Sequence, residues 1–218
     1  MTVRVLPAGD GAMLIELDGP DAAVALTQRV RSAHLPAIVD LVPAARTLLL
    51  QTVAGTDLTA IRRTVLELAV DLPDEASTAA ASDPLVIEVR YDGPDLPAVA
   101  QATGLDPAGV VRAHTETPWR TLFIGFAPGF AYLTGGDSRL QVPRRTESRT
   151  SVPAGAVALA GEFSAVYPRA SPGGWQLIGS TDAVLWDIEA DPPAVLQPGR
   201  WVRFVDITDH PHTDRVPS

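Results

Sequence analysis

FIGFAPGFAYL (Phe123–Leu133), VPRRTESRTSVPAGAVALAG (Val142–Gly161) and SPGGWQLIG (Ser171–Gly179) decide the architecture of this chain. Each contains a short apolar run bounded by Gly or Pro. Strands of this length, bounded by turn residues at close spacing, belong to a closed or nearly closed β-barrel. The same pattern continues on both sides. Strands are predicted at Thr121–Gly125, Ala156–Ala160, Ala165–Tyr167, Trp175–Gly179, Val184–Asp187 and Trp201–Val205, with Leu85–Tyr91 ahead of them. Asp95–Ala102 and Pro107–His114 have the spacing of two short helices.

Towards the amino terminus the pattern changes. Residues 74–83 read DEASTAAASD, a small polar stretch with the composition of a linker. All twelve aromatic residues follow it, from Tyr91 onward. Two domains are therefore expected, 1–82 and 83–218. In the first, Val3–Leu6 and Ala12–Leu17 flank the turn Pro7–Gly11. Ala23, Leu26, Val30 and Ala33 recur at helical spacing behind Pro20 and Asp21. Ile38–Val42 and Thr47–Val53 form a second strand pair, and Leu58, Ile61, Val65 and Leu68 a second helix with Asp57 as N-cap. The order is ββαββα. Its natural packing is an antiparallel sheet with helices on one face. A split βαβ arrangement that borrows residues 85–91 is the alternative.

Composition excludes several functions. The chain has 218 residues and is 46% hydrophobic, enough for a sizeable core. No apolar run is long enough to cross a bilayer, and Pro7 and Gly9 interrupt the start as no signal peptide would, so a cytoplasmic protein without a membrane partner is expected. A net charge of −9 argues against nucleic acid. Cysteine is absent, which removes disulfides, thiolate metal sites and a Cys nucleophile. Lysine is absent too, and all 17 basic residues are Arg. No Walker A lysine, Schiff-base lysine or Ser–Lys dyad exists. No G-x-S-x-G, H-E-x-x-H or G-x-G-x-x-G occurs.

The candidate site is built from what remains. Arg144, Arg145 and Arg149 fall within six residues, between Pro143 and Pro153. Three guanidiniums so close call for a bound anion or for carboxylates, and Glu147 can neutralise one. A solvated loop with exchanging surface pairs, each worth ~0–1 kcal/mol, is the competing reading. Phe126, Phe130 and Tyr132 surround Pro128-Gly129, a tight turn of type II with Gly129 at positive φ. Its rings form either a pocket wall or a packed barrel corner. Ser171, Gly173, Gly174 and Trp175 can expose backbone N–H groups to an oxyanion, or simply make a turn. His114 is a candidate general acid/base, or a core histidine. His210 and His212, with Asp214, form an H-x-H on a tail expected to fray; no metal site is read into it.

In this order, GFAPGFAYL, PRR, VPAGAVALAG, VYP, SPGGWQLIG and DPPAVLQPG (Asp191–Gly199) resemble the family of the 5-oxoprolinase B subunit, also known as KipI-like or allophanate hydrolase subunit 1, and found in the carboxyltransferase region of urea carboxylases. LPAGDGAMLIEL (Leu6–Leu17) and VPAARTLLL (Val42–Leu50) extend the resemblance over nearly the whole chain. It implies a small α+β amino-terminal domain and a cyclophilin-like β-barrel. It implies a partner, the 5-oxoprolinase C subunit, with the cleft between the two, and a further A subunit. The implied reaction is hydrolysis of 5-oxoproline to glutamate, with ATP as cofactor of the complex. It also implies two alternatives: a component of an allophanate- or urea-type amide hydrolase, and a regulator that inhibits a histidine kinase. A prolyl isomerase is suggested by the barrel class alone.

Phe126, Pro128, Gly129, Phe130 and Tyr132 match the family's aromatic turn. Pro143, Arg144 and Arg149 match its PR…PR, Pro153 and Gly155 its VPAG. Tyr167, Pro168, Ser171, Pro172, Gly173, Gly174 and Trp175 match its YPxxSPGGW, and His114 stands where the family often has His. Three departures stand out. Ser180 replaces the Arg of IGRT, Glu162–Tyr167 replaces NQTGIY, and Ser148 stands where Pro is usual. An anion site that loses an Arg and gains a carboxylate should bind a different or weaker anion.

Overall fold

The computed structural model describes residues 3–72 and 83–208. Most of the linker stretch 74–83 and the tail with His210 and His212 lie outside these residues.

The first unit follows the hydrophobic periodicity. Strands β1 (Arg4–Pro7) and β2 (Ala12–Glu16) precede helix α1 (Pro20–Ser32). Strands β3 (Ile38–Pro43) and β4 (Thr47–Thr52) precede α2 (Leu58–Leu68). Asp57 caps α2 through a 2.9 Å bond from the Thr59 N–H. The sheet is antiparallel with order β1-β2-β4-β3. Alternate residues Met13, Ile15, Leu48 and Leu50 pack with Leu26 and Val30 of α1 and Val65 of α2 in one cluster, so both helices cover the same face. The split βαβ alternative fails. Strand β5 (Leu85–Val89) pairs in parallel with the last strand of the other sheet instead.

That second sheet comprises β5, β6 (Trp119–Ile124), β7 (Ala131–Thr134), β9 (Ala156–Ala160), β10 (Phe163–Val166), β12 (Gln176–Ser180) and β13 (Trp201–Asp206). Its order is β12-β9-β10-β7-β6-β13-β5. The two ends meet: Arg90, just after β5, and Ser180 of β12 exchange N–H···O bonds of 2.8 Å in both directions. The result is a seven-stranded barrel, nearly closed, which leaves few unpaired edge groups. All seven strands send side chains into one cluster, among them Val89, Trp119, Leu133, Leu159, Val166, Ile178 and Phe204. Helices α3 (Leu96–Thr103) and α4 (Pro107–Glu116) add Val99, Ala100, Val110 and Ala113 to it. A two-stranded ladder, β8 (Arg149–Val152) with β11 (Ser171–Gly173), lies outside the seven.

The structure corrects the sequence expectations in two places. It adds β7, β8 and β11 as strands, each of three or four residues, too short to carry a periodic signal. Val184–Asp187 is no strand. It makes one bridge, Trp186 to Ala194, since Pro192 and Pro193 on the facing segment have no N–H to donate.

Strand β9 explains where the site lies. Its AVALA is buried on both faces. Val157 and Leu159 fill the barrel interior, whereas Ala156, Ala158 and Ala160 belong to a second cluster with Phe130, Tyr167 and Trp175. Bulky residues point in and methyl groups point out. The outer face is thereby left low enough for a roof of aromatic rings. The amino-terminal unit touches the barrel elsewhere, where Asp21 of α1 accepts a 3.0 Å ion pair from Arg120 of β6.

Candidate substrate pocket

The roof begins with the turn between β6 and β7. The Ala127 N–H donates to Gly125 O at 2.7 Å, a γ-turn that puts Phe126 at φ 67°. The Phe130 N–H then donates to Ala127 O at 3.0 Å, with Gly129 at φ 76° as expected for its turn. Gly129 is needed twice over, because a Cβ there would lie 2.8 Å from Trp186 Cβ. Positive φ at an aromatic residue is strained. Here it holds the Phe126 ring, 61% exposed, at the rim of a cavity.

The cavity has a volume of about 470 Å³. Phe130 is its hub. Its ring meets those of Phe126, Tyr132, Tyr167 and Trp175 edge-on, with centroids 5.1–5.5 Å apart. Such pairs add ~0.5–1.5 kcal/mol each beyond burial, so the wall is rigid. Tyr132 also meets Phe163 at 5.6 Å. Burial pushes both the Tyr132 and Tyr167 hydroxyls above the ordinary tyrosine range, against the pull of the Arg144 charge on each. Both hydroxyls are therefore protonated near pH 7.

The three arginines are divided. Arg144 lines the cavity, exposed, with no carboxylate partner among the described residues. Arg145 and Arg149 turn away. Their Nη1 and Nη2 atoms, respectively, donate to Asp95 Oδ1 at 2.8 Å. Asp95 Oδ2 accepts the Leu177 N–H at 2.7 Å, and the residue is 4% exposed. Burial alone would raise the Asp95 carboxyl. The hydrogen bonds from Arg149 and Leu177 and the charges of Arg149 and Arg145 outweigh it and hold the group below the usual carboxylate range. The neutralising carboxylate is Asp95, not Glu147.

The glycine segment is a ladder rather than an open cradle. Ser171 and Gly173 pair with β8, and Gly174 O accepts the Arg145 N–H at 2.8 Å. Gly173 has no side chain because a Cβ would sit 2.3 Å from Tyr167 Oη. Gly173 and Trp175 line the cavity; Ser171, Gly174 and Pro128 support it from outside.

His114 is placed far from this chemistry, inside the barrel. It is 0% exposed, stacks on Phe204 with centroids 4.3 Å apart, and bonds Tyr91 Oη through Nδ1 at 2.7 Å and Ser164 Oγ through Nε2 at 2.8 Å. Burial holds its pKa down to about 3. Tyr91 is pushed far up by burial and by Asp206. His114 is a neutral core group without access to a ligand in the cavity.

Sequence reasoning misses Phe163 and Asp95. Phe163 lies in a stretch notable in the sequence only for its lost amides. Asp95, before Leu-Pro and a helix, carries the signal of an N-cap, yet its carboxylate makes no cap bond. Among the described residues no group of three or more His, Asp and Glu could hold a metal, and no helix is long and apolar enough to cross a membrane.

Known proteins share this fold. Residues 3–196 match the model of the carboxyltransferase domain, subdomain C and D. The chain belongs to that family. It is 36% identical to the 5-oxoprolinase B subunit of Escherichia coli O157:H7, over 90% of this chain and 93% of the other. It is 44% identical to the 5-oxoprolinase B subunit of Bacillus subtilis over 54% of this chain and 49% of that protein. Among solved structures, TTHA0988 aligns at TM-score 0.74 and 32% identity over 94% of this chain, which spans 40% of that longer polypeptide. The Kluyveromyces lactis urea carboxylase shares the fold at TM-score 0.68 and 18% identity, over 95% of this chain and 22% of its own. As a family member, the chain combines the α+β unit and the barrel in the order seen in TTHA0988.

Proposed function

We propose that this chain is one component of an ATP-dependent 5-oxoprolinase, and that its aromatic cavity holds the 5-oxoproline ring while Arg144 binds the substrate carboxylate. One observation carries the site assignment: a guanidinium without a carboxylate partner among the described residues stands at the mouth of a cavity whose wall is otherwise apolar and aromatic. A flat lactam with one carboxylate has the complementary chemistry. The similarity to the E. coli B subunit, along nearly the full length of both chains, supports the reaction class.

The chain's own residues bind and orient. Phe130, Trp175 and Tyr167 exclude water from the ring, and the neutral tyrosine hydroxyls offer hydrogen bonds. Among the described residues no carboxylate, histidine or nucleophile lines the cavity. A triphosphate does not fit either. The chain has no lysine, its glycine segment is tied into a ladder, and Arg144 is a single cation. ATP and the proton-transfer groups are therefore assigned to partners of the C and A types.

The test is reconstitution. ATP hydrolysis is measured with and without 5-oxoproline for this chain alone, for its candidate C-type partner alone, and for the two together with the A-type partner. Stimulation by 5-oxoproline is expected only in the assembly. Turnover by the isolated chain, or an assembly indifferent to 5-oxoproline but active on a urea-type amide, overturns the assignment.

A further inference from the structure

Arg144 is held on both sides. Before it, Pro143 O accepts a 3.2 Å bond from the Gln176 side chain of β12. After it, the Arg145 N–H is bonded to Gly174 O at 2.8 Å and the Arg145 side chain to Asp95. Asp95 also takes Arg149, which opens β8 four residues further on. Asp95 is itself fixed to β12 by a reciprocal pair: its N–H donates to Leu177 O at 3.0 Å and its Oδ2 accepts the Leu177 N–H. The approach is so close that a Cβ on Gly93 would lie 2.3 Å from the Ile178 carbonyl carbon.

We infer that Asp95 is the positioning residue of the pocket: by gathering Arg145 and Arg149 on one carboxylate it sets the 143–149 loop so that Arg144 alone faces the cavity. The cluster has one buried carboxylate and two guanidiniums, and Arg145 Nε and Arg149 Nη1 have no further acceptor. Without Asp95 the two guanidiniums keep their charge and lose the carboxylate they share in the interior. They must swing out to solvent, and the loop moves with them. The device also accounts for three arginines serving a site that uses one. Two of them anchor, and the third binds.

The role of Asp95 stands apart from the proposed substrate, and only the kinetic arm of its test rests on that reading. The chain has three tyrosines, and each reports on a different place. Tyr132 feels the charge of Arg144, Tyr167 feels Arg144 and Arg149, and Tyr91 lies in the barrel interior next to His114. Titration of the three ring Cζ resonances by carbon NMR in the full chain reads Arg144 directly. Asp95→Asn is expected to move Tyr132 upward, in the same direction as Arg144→Ala, with the Tyr91 resonance still untitrated over the range in which Tyr132 titrates, the sign of an intact barrel. In the reconstituted complex, Asp95→Asn is expected to raise the KM for 5-oxoproline about tenfold, the loss of a charge-assisted contact, with kcat little altered. A purely structural role would lower the amount of active enzyme and leave KM alone. If Asp95→Asn does not fold, Arg149→Gln, which keeps a donor but drops a charge, is expected to give a smaller shift of Tyr132. Tyr132 profiles that superpose on wild type in the folded variant overturn the inference, as does an Arg144→Ala profile that does not move. A complex inactive towards 5-oxoproline removes the proposed substrate, while the tyrosine titration still decides the role of Asp95.

Discussion

His114 shows how a single residue is diverted by its surroundings. An imidazole titrates near neutral pH in water, but burial holds this one down to about 3. Its folded pKa lies below its unfolded value, so the unfolded chain binds more protons across that interval. The stabilising contribution of neutral His114 is complete above about pH 6.5 and is lost as pH falls from there towards 3. Thermal melts of wild type should therefore decline across this window. A triple variant His114→Leu, Ser164→Ala, Tyr91→Phe, which removes the network together, should decline less steeply there. Equal slopes would mean that the ring is charged or solvated in the fold. Asp95 acts at lower pH. Its carboxyl is held below the usual range, so its contribution is present above about pH 3.9 and is lost as pH falls further. The arginines separate by the same logic. Arg144→Ala should lower ligand affinity about ten- to a hundredfold with the melting point unchanged, because it loses a charge-assisted contact worth ~1.5–3 kcal/mol. Arg149→Ala should lower the melting point, because it strips a partner from a carboxylate that is 4% exposed.

Strand β9 and the turns beside it set the limits of packing around the pocket. Ala158 is fully buried on the outer face beneath the aromatic roof. Ala158→Leu adds three carbons where rings already meet edge-on, and overpacking of this kind costs ~1–3 kcal/mol. The urea midpoint should fall accordingly, and an unchanged midpoint would show that the roof is loose. The glycines differ among themselves. Gly9 has φ 77° in open space, so Gly9→Ala should cost only the ~1–2 kcal/mol of a left-handed residue. Gly155 has φ 78° and a Cβ there would lie 2.1 Å from Thr181 O. Gly155 also donates its N–H to Tyr167 O and accepts the Thr181 N–H. Gly155→Ala should therefore cost distinctly more than Gly9→Ala in the same unfolding experiment.

The molecule as a whole has separate cores. Residues before the polar stretch pack around Leu26, Leu48 and Leu50, and those after it fill the barrel and its roof. We propose the boundary at 82/83. Limited proteolysis should cut first within 74–83 and leave a fragment that contains every tryptophan. Early cuts spread through residues 120–200 would contradict the division. The aromatic cavity opens on the outer wall of the barrel and brings binding groups but, among the described residues, no acid, base or nucleophile. That incompleteness is the physical reason to look for a second polypeptide facing it.

Local chemistry was legible without a structure. Alternation every second residue, with Gly and Pro between, specifies strands, because a pleated chain sends successive side chains to opposite faces. The ββαββα order, most barrel strands and the Phe126–Tyr132 turn were readable for this reason, whereas the aromatic rings of that turn could be read equally as a pocket wall or a packed corner. The division of the arginines was not. Asp95 lies 50 and 54 residues from Arg145 and Arg149, and 82 from Leu177. No periodicity connects residues so far apart in sequence, and only closure of β5 onto β12 brings them together. The environment of His114 was hidden for the same reason, since α4, β10 and the residues after β5 meet only in the closed barrel. Chain chemistry by itself determined which elements form and which side chains are available. Tertiary structure alone decided which charges neutralise one another in the interior and which one is left to face the cavity, because burial and pairing depend on distances that sequence order does not set.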